Sequence, residues 1–228
     1  MMKWISNRYV FWTFIHFEQA YFSKESKKIA ETKLEKLIKT ASSSKNNVFV
    51  ETLISPSNTA AMIQAIQQPG ISGQPNNMML FEYKKGENEW LTTILDNFSV
   101  LKSAQYDLCI LASSDKGFGY KKDIHVWIRK EDYENANLMI LLSYIILGHP
   151  DWKKGEIKIF ATFAKENMAQ EEQNLIELTS SGRLPISANN IRVLPIDDTK
   201  SRRDLINENS IDADLTLIGF HEGMMKAE

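Results

Sequence analysis

The stretch that decides the fold is Asp123–Pro150, DIHVWIRKEDYENANLMILLSYIILGHP, which continues into Asp151–Phe160, DWKKGEIKIF. An apolar run ending in Val126–Trp127 leads through an acidic loop into the Leu- and Ile-rich run 138–147. A turn containing Trp-Lys-Lys then leads into a second apolar run. This order predicts a strand, a buried helix and a second, parallel strand, joined as a βαβ unit. Burial of the apolar run is expected to stabilise the sheet by covering its face.

The same alternation extends along the whole chain. Eight short runs rich in apolar, β-branched and aromatic residues are predicted strands: Tyr9–Phe17, Val48–Ile54, Met78–Tyr83, Tyr106–Ala112, Ile124–Ile128, Ile157–Phe163, Ile191–Pro195 and Leu215–Phe220. Most are continuously apolar, as is typical of strands covered on both faces. Between them apolar residues recur with the helical period, for instance from Ala30 through Leu34 to Ala41. The alternation predicts an α/β fold with mostly parallel sheets and right-handed crossovers.

A polar, glycine-containing segment near the middle, Ser113–Lys122, separates two similar strand–helix series. Segments of this composition commonly join domains. We therefore predict a first α/β subdomain over residues 1–115, a linker over 116–122 and a second α/β subdomain over 123–228. The chain starts almost directly in a strand and stops shortly after Phe220, so the first and last elements are expected to be truncated.

Composition argues against several classes of partner. The formal net charge is −2, and the longest basic clusters are pairs such as Lys121–Lys122 and Arg202–Arg203. Neither a nucleic-acid partner nor direct lipid binding is therefore predicted. The run 138–147 has about half the length of a bilayer span, and polar residues interrupt the aromatic N-terminal stretch, so no transmembrane segment is expected. The single cysteine, Cys109, lies in an apolar run and is interpreted as a core residue in a reducing compartment.

The glycine motifs do not match a dinucleotide fingerprint, which needs glycines after a strand and at the start of a helix. Gly70-Ile-Ser-Gly73 has the reverse order and is interpreted as a turn that ends a helix. Gly117-Phe-Gly119 follows a strand but precedes another strand, which disfavours phosphate binding. Gly219 and Gly223 follow the last strand, where universal-stress-type domains carry a nucleotide loop, so nucleotide binding stays open at that position.

Ionisable residues form no recognisable catalytic pattern. Acidic pairs such as Asp197–Asp198, Glu171–Glu172 and Glu131–Asp132 are interpreted as solvated charge, the last also suiting the N-terminal dipole of the following helix. The four histidines lack the spacing of metal ligands, and His125 is interpreted as a satisfied core or face residue: His16, His125, His149 and His221. The sequence thus predicts no catalytic, cofactor-binding or metal-binding residues, no cofactor and no enzymatic activity.

The βαβ unit resembles part of the C-terminal cytoplasmic domain of cation–chloride cotransporters, from the strand Asp123-Ile-His-Val-Trp127 to the Trp-Lys-Lys turn before Ile-Lys-Ile-Phe. Gly70-Ile-Ser-Gly-Gln-Pro-Asn-Asn-Met-Met-Leu80 is similar to the family's Gly-Leu-Gly-x-x-x-Pro-Asn-Thr-x-x-Leu stretch. Arg203–Ser210 and Ala213–Leu217 resemble its Leu-rich helix and Ala-x-Leu strand. The similarity runs in order from about Val48 to Phe220. The chain departs from animal members in carrying Glu131–Asn135 where glycines often follow the Val-Trp strand. It also lacks their long low-complexity insert, which fits a prokaryotic member.

This resemblance implies two universal-stress-protein-like, Rossmann-like subdomains that form a homodimer and regulate ion transport without catalysis. The other implied partner is the transmembrane domain of a parent symporter for potassium or sodium with chloride. The chain itself would bind none of these ions and would lie at the cytoplasmic face of the plasma (inner) membrane.

Two alternatives stay open. A free-standing nucleotide-binding, universal-stress-like domain rests on the α/β alternation and Gly219. A small-molecule hydrolase or oxidoreductase has only analogy of fold, because neither a nucleophile elbow nor a dinucleotide fingerprint occurs in the sequence.

Overall fold

The computed structural model describes residues 2–5, 10–43, 48–71, 73–86, 88–115, 117–181, 186–196 and 199–221. The chain divides into two compact units, residues 1–117 and 118–228. The point of division lies inside the predicted linker 116–122, and residues 118–122 belong to the second unit. Among the described residues, no helix combines the length and the apolarity needed to cross a bilayer.

The first unit alternates helices with parallel strands. In chain order its elements are α1 (Met2–Ile5), β1 (Trp12–Gln19), α2 (Lys24–Ser43), β2 (Val48–Ser55), α3 (Asn58–Gln67), β3 (Met78–Lys84), α4 (Asn88–Asp96), α5 (Phe98–Ser103) and β4 (Asp107–Ser113). β1 pairs with β2 and β3 pairs with β4, each in parallel. Within the described residues no hydrogen-bonded ladder joins the two pairs.

The second unit contains one four-stranded parallel sheet. Its elements are β5 (Asp123–Ile128), α6 (Tyr133–Leu147), β6 (Glu156–Phe163), α7 (Met168–Ser181), β7 (Ile191–Pro195), α8 (Arg202–Ser210) and β8 (Leu215–Ile218). The strand order is β7-β6-β5-β8, so β5 lies between β6 and β8. The chain moves from β5 to one edge of the sheet and then returns to the other side of β5, and the direction of winding reverses between β5 and β8.

The core of the second unit lies where α6 covers β5 and β6. Ile124, Val126 and Ile159 are fully buried in the strands, and Ile140 and Ile146 are buried on the helix. The predicted α/β fold with parallel sheets is confirmed. Tyr9, the predicted start of the first strand, lies outside the described residues, and β8 ends at Ile218 rather than at Phe220.

Candidate functional site

The position best suited to a site is the carboxyl edge of the second sheet, between β5 and β8. In open parallel α/β sheets, ligands bind outside the carboxyl ends of the strands where the winding direction reverses. Here β5 ends at Ile128 and β8 ends at Ile218. The side chains that meet beyond these ends belong to Arg129, Asp132 and Arg202, which we call the edge cluster.

Asp132 is the centre of the edge cluster and is 0% exposed. Its carboxylate accepts hydrogen bonds from Arg129 Nε at 2.8 Å and Nη2 at 3.0 Å, and from the Arg129 backbone N–H at 3.2 Å. Arg202 Nη2 lies 3.4 Å from Oδ2. Burial raises the pKa of this carboxyl, but the hydrogen bonds and charge of Arg129, with a contribution from Arg202, outweigh burial and hold the pKa below its ordinary value.

The interpretation of Glu131–Asp132 as solvated charge is therefore wrong for Asp132, whereas the Glu131 side chain is 62% exposed. The cause is the short 3-10 turn Lys130–Asp132, which directly follows β5 and returns the carboxylate to Arg129. In that position the Asp132 carboxylate accepts hydrogen bonds from two guanidinium groups, which balance its charge without solvent.

Gly219 lies against the same carboxylate. A Cβ atom at this residue would stand 2.8 Å from both Cγ and Oδ1 of Asp132, closer than side-chain carbons approach other atoms. The glycine is thus required for close packing of the chain after β8 on the edge cluster. This packing role accounts for Gly219 without a nucleotide, and Gly223 lies outside the described residues.

The edge cluster is arranged to hold structure rather than to move protons. A general acid or base works best with a pKa near the operating pH, but the pKa of Asp132 is lowered from an already acidic value. Charge-assisted, bidentate bonds of this kind are strong and directional. The bidentate bonds join Arg129 to Asp132 at the end of β5, and a single bond from Arg202, the first residue of α8, connects this pair to that helix. The chemistry of the cluster is therefore that of a buried clamp between two elements.

A second carboxylate, Asp214, binds the loop at the start of the second unit. It accepts backbone N–H bonds from Tyr120 at 2.8 Å, Lys122 at 2.6 Å and Asp123 at 3.0 Å. Burial raises the pKa of this acid, and the backbone hydrogen bonds outweigh burial, so the pKa lies below its ordinary value. Gly119, with φ +45°, approaches Asp214 so closely that a Cβ atom would overlap Oδ1.

The glycine loop Gly117-Phe-Gly119 therefore does lead into a set of amides that bind an anion. The anion is supplied by the chain itself, as the Asp214 carboxylate, and not by a phosphate. The loop's positive φ values, +61° at Gly117 and +45° at Gly119, suit glycine and explain why both positions carry it.

The hydroxyl of Ser210, the last residue of α8, contacts two aromatic rings of β5. Ser210 Oγ accepts a hydrogen bond from Trp127 Nε1 at 2.9 Å and lies 2.8 Å from His125 Nδ1. Trp127 also stacks on Phe160, with centroids 4.8 Å apart. His125 is 5% exposed, as expected of a core residue, but among the described residues its buried Nε2 has no hydrogen-bond partner, so only one of the two ring nitrogens is hydrogen-bonded. Burial, followed by the charge of Lys158, lowers the pKa of His125.

The interpretation as solvated charge is also wrong for Glu171, whose side chain is 12% exposed and accepts hydrogen bonds from Tyr133 Oη at 3.1 Å and Asn174 Nδ2 at 3.2 Å.

The remaining sequence candidates lie outside the edge cluster. Gly70 and Gly73 form a turn after α3, closed by a 2.9 Å hydrogen bond from the Gly73 N–H to the Gly70 carbonyl, as predicted. Cys109 lies on β4, and burial with the nearby charge of Asp107 raises its pKa to about 11. Across the described ranges, no three His, Cys, Asp or Glu side chains come together as a potential metal site. Asp197–Asp198 lies outside those ranges.

Sequence reasoning missed Arg129, Arg202, Asp214 and Ser210. An Arg-x-x-Asp spacing directly after a predicted strand, as in Arg129–Asp132, was the available indication of a bidentate pair. No local sequence pattern indicated Arg202, Asp214 or Ser210, because their partners lie about 70 to 94 residues away along the chain.

Comparison with known proteins bears on the fold. No protein-family model matches the sequence, and no curated protein matches it. Among solved structures, the cytoplasmic domain of a prokaryotic cation chloride cotransporter is similar, with a TM-score of 0.57 and 16% sequence identity. The match covers 86% of this chain and 73% of that chain. This protein therefore shares its α/β fold with a cytoplasmic domain of a cation chloride cotransporter.

Proposed function

We propose that this chain is a regulatory domain at the cytoplasmic face of a membrane cation–chloride cotransporter, and that it forms a homodimer which holds two transporter subunits together. The observation that carries the proposal is the shared fold over 86% of the chain with the cytoplasmic domain of such a transporter. The ordered similarity of three sequence segments, from Gly70–Leu80 to Ala213–Leu217, supports the same family independently of that fold.

The role that we propose is not catalytic. Two carboxylates of the second unit already hold structure, since Asp132 binds two arginines and Asp214 binds three backbone amides. The thiol of Cys109 is disfavoured as a nucleophile, because its pKa is raised to about 11 and the thiolate is the reactive form.

Dimerisation by a separate domain has a physical advantage in this setting. When the domain is tethered beside its transmembrane partner, local concentration is high, and a modest interface is sufficient to pair two subunits. A change in that pairing then reaches both transmembrane domains, which is how a domain without contact to the ions would influence their transport.

The first experiment is fractionation of the source cell, with detection by an antibody against this domain. We expect a band in the membrane fraction with a mass much larger than the 26.2 kDa of this chain. A band in the soluble fraction near 26.2 kDa would contradict the proposal. Light scattering on the purified chain tests the dimer separately: because this chain lacks the tether, the mass is expected to rise towards twice 26.2 kDa as the protein concentration increases.

The nucleotide-binding alternative has less support. Its expected position, beside Gly219, is taken by the edge cluster, in which one carboxylate already engages both guanidinium groups. Calorimetric titration with ATP and AMP distinguishes the two functions, since binding is expected only for a nucleotide-binding domain.

A further inference from the structure

The two units differ in how completely their sheets are assembled. In the second unit β5 is an inner strand, hydrogen-bonded to β6 on one side and to β8 on the other. In the first unit β1 bonds only to β2, and β3 bonds only to β4. Over the described residues, one edge of each of these four strands is without a partner strand.

The helices and strands of the two units follow one another in the same order, so the elements of one unit can be matched to those of the other. In the second unit, α6 leads into β6, α7 connects β6 to its neighbour β7, and α8 connects β7 to β8. In the first unit, α1 leads into β1, α2 connects β1 to its neighbour β2, and α3 connects β2 to β3. The strands β1, β2 and β3 thus correspond to β6, β7 and β8. Nothing in the described part of the first unit corresponds to β5, the strand that joins β6 to β8.

Burial agrees with a missing inner strand. Every residue from Trp12 to Glu18 of β1 is only half-buried, although the run is largely aromatic and aliphatic. Met78–Phe81 of β3 are also half-buried. By contrast, Ile124–Ile128 of β5 are all buried. Continuously apolar strands are typical of sheet interiors, so the exposure of β1 and β3 is that of inner strands without a neighbour.

The helices that would enclose the missing strand are already in place. Both α2 and α3 contact β1, and in α1 the side chains of Trp4 and Ile5 are 3% and 2% exposed. Two-stranded sheets are marginal by themselves, and unpaired edges are templates for another strand. A parallel strand bonded to β1 and β3 would convert two marginal pairs into one sheet of the kind seen in the second unit.

We propose that β1 and β3 flank a vacant strand position, and that it is filled by an extended polypeptide segment of about six residues, apolar on both faces. The segment lies parallel to β1 and β3 and is joined to the amino end of α1, because β5 stands in that relation to α6. The filled sheet would have the order β2-β1-segment-β3-β4. This inference concerns pairing within the first unit and does not depend on the proposed function.

Hydrogen exchange of the backbone amides tests the proposal. In the 228-residue chain, amides of β1 and β3 are expected to exchange faster than those of β5 and β6. The chain is then extended before Met1 by a Val- and Ile-rich strand of about six residues and a short polar loop. We expect exchange of the β1 and β3 amides to slow at least about ten-fold.

The matched control is the same extension with two prolines in the strand, which removes donors and blocks pairing. It is expected to leave exchange in β1 and β3 at the rate of the original chain. Slow exchange of β1 and β3 in the original chain, or equal slowing by both extensions, would overturn the vacant position. Slowing by a free peptide of the same sequence, but not by the joined strand, would overturn the connection to α1.

Discussion

Arg129 donates two side-chain hydrogen bonds to Asp132, from Nε at 2.8 Å and from Nη2 at 3.0 Å, and the carboxylate that accepts them is fully buried. The two residues stand three positions apart, one at the end of a strand and one at the start of a helix. The pair occupies the part of the sheet that in many α/β proteins is left open for a ligand.

Replacement of Asp132 by Asn is expected to lower the free energy of unfolding by about 3 kcal/mol, because it leaves the guanidinium of Arg129 partly buried and without its counter-charge. Denaturant titration at pH 7 measures the loss. The control is Glu131→Gln, which removes a neighbouring but exposed acid and should change stability by less than about 0.5 kcal/mol. Equal effects of the two substitutions would contradict a specific role of the buried pair.

Gly219→Ala is expected to destabilise the protein by about 1–3 kcal/mol, since the new methyl group overlaps the carboxyl of Asp132. A double-mutant cycle identifies the cause. The Asp132→Ala background removes the overlap with Cγ and Oδ1 and leaves only the 3.0 Å approach to Cβ, so the cost of Gly219→Ala should fall below its value in the original protein. Strictly additive effects would mean that the glycine is needed for some other reason.

Asp214 gives a prediction about pH. Its pKa is lower in the folded protein than the ordinary value of about 3.9, so the folded state prefers the charged carboxylate. The stability that this preference contributes is fully present above about pH 4 and is lost as the pH falls through the folded-state pKa. Asp214→Asn is expected to cost about 1–3 kcal/mol at pH 7, because amide donors of the loop lose an acceptor.

Unfolding curves of both proteins from pH 7 to pH 2 check this sign. The difference in free energy of unfolding between the original protein and Asp214→Asn should stay constant down to about pH 4 and shrink below it. A difference that already shrinks near pH 6, or one that persists undiminished at pH 2, would rule out the carboxylate as the source.

Cys109 should react slowly with thiol reagents at pH 8. With a pKa of about 11, about one molecule in a thousand carries the thiolate, against roughly a quarter in an unfolded chain with the usual pKa of about 8.5. Unfolding in denaturant is therefore expected to raise the labelling rate by about two orders of magnitude. Rates that agree within a factor of a few would show that the thiol is not shielded in the folded protein.

Local sequence pattern was enough to predict the helices and strands but not the side-chain clusters around Asp132 and Asp214. The apolar runs of β5 and β6 and the apolar helix α6 predicted a βαβ unit because each is continuous in sequence. The charge of Asp132 is balanced partly by Arg202, 70 residues away, and the loop geometry at Gly119 depends on Asp214, which is still more distant along the chain. Periodicity carries no information about such pairs. The separate strand pairs of the first unit were hidden for the same reason, since pairing joins strands that are distant in sequence.

The hydrogen bonds that Asp214 accepts also determine where the chain can be cut to separate its two units. Residues 120–122 fall in the predicted linker, yet the amides of Tyr120 and Lys122 donate hydrogen bonds to Asp214, the residue that precedes β8. In a chimera that exchanges one unit for that of a relative, a junction after Lys122 would separate Asp214 from two of its three backbone donors, Tyr120 and Lys122. A junction at Gly117 would keep Asp214 together with all three donors, so the smallest exchangeable form of the second unit begins before its first strand.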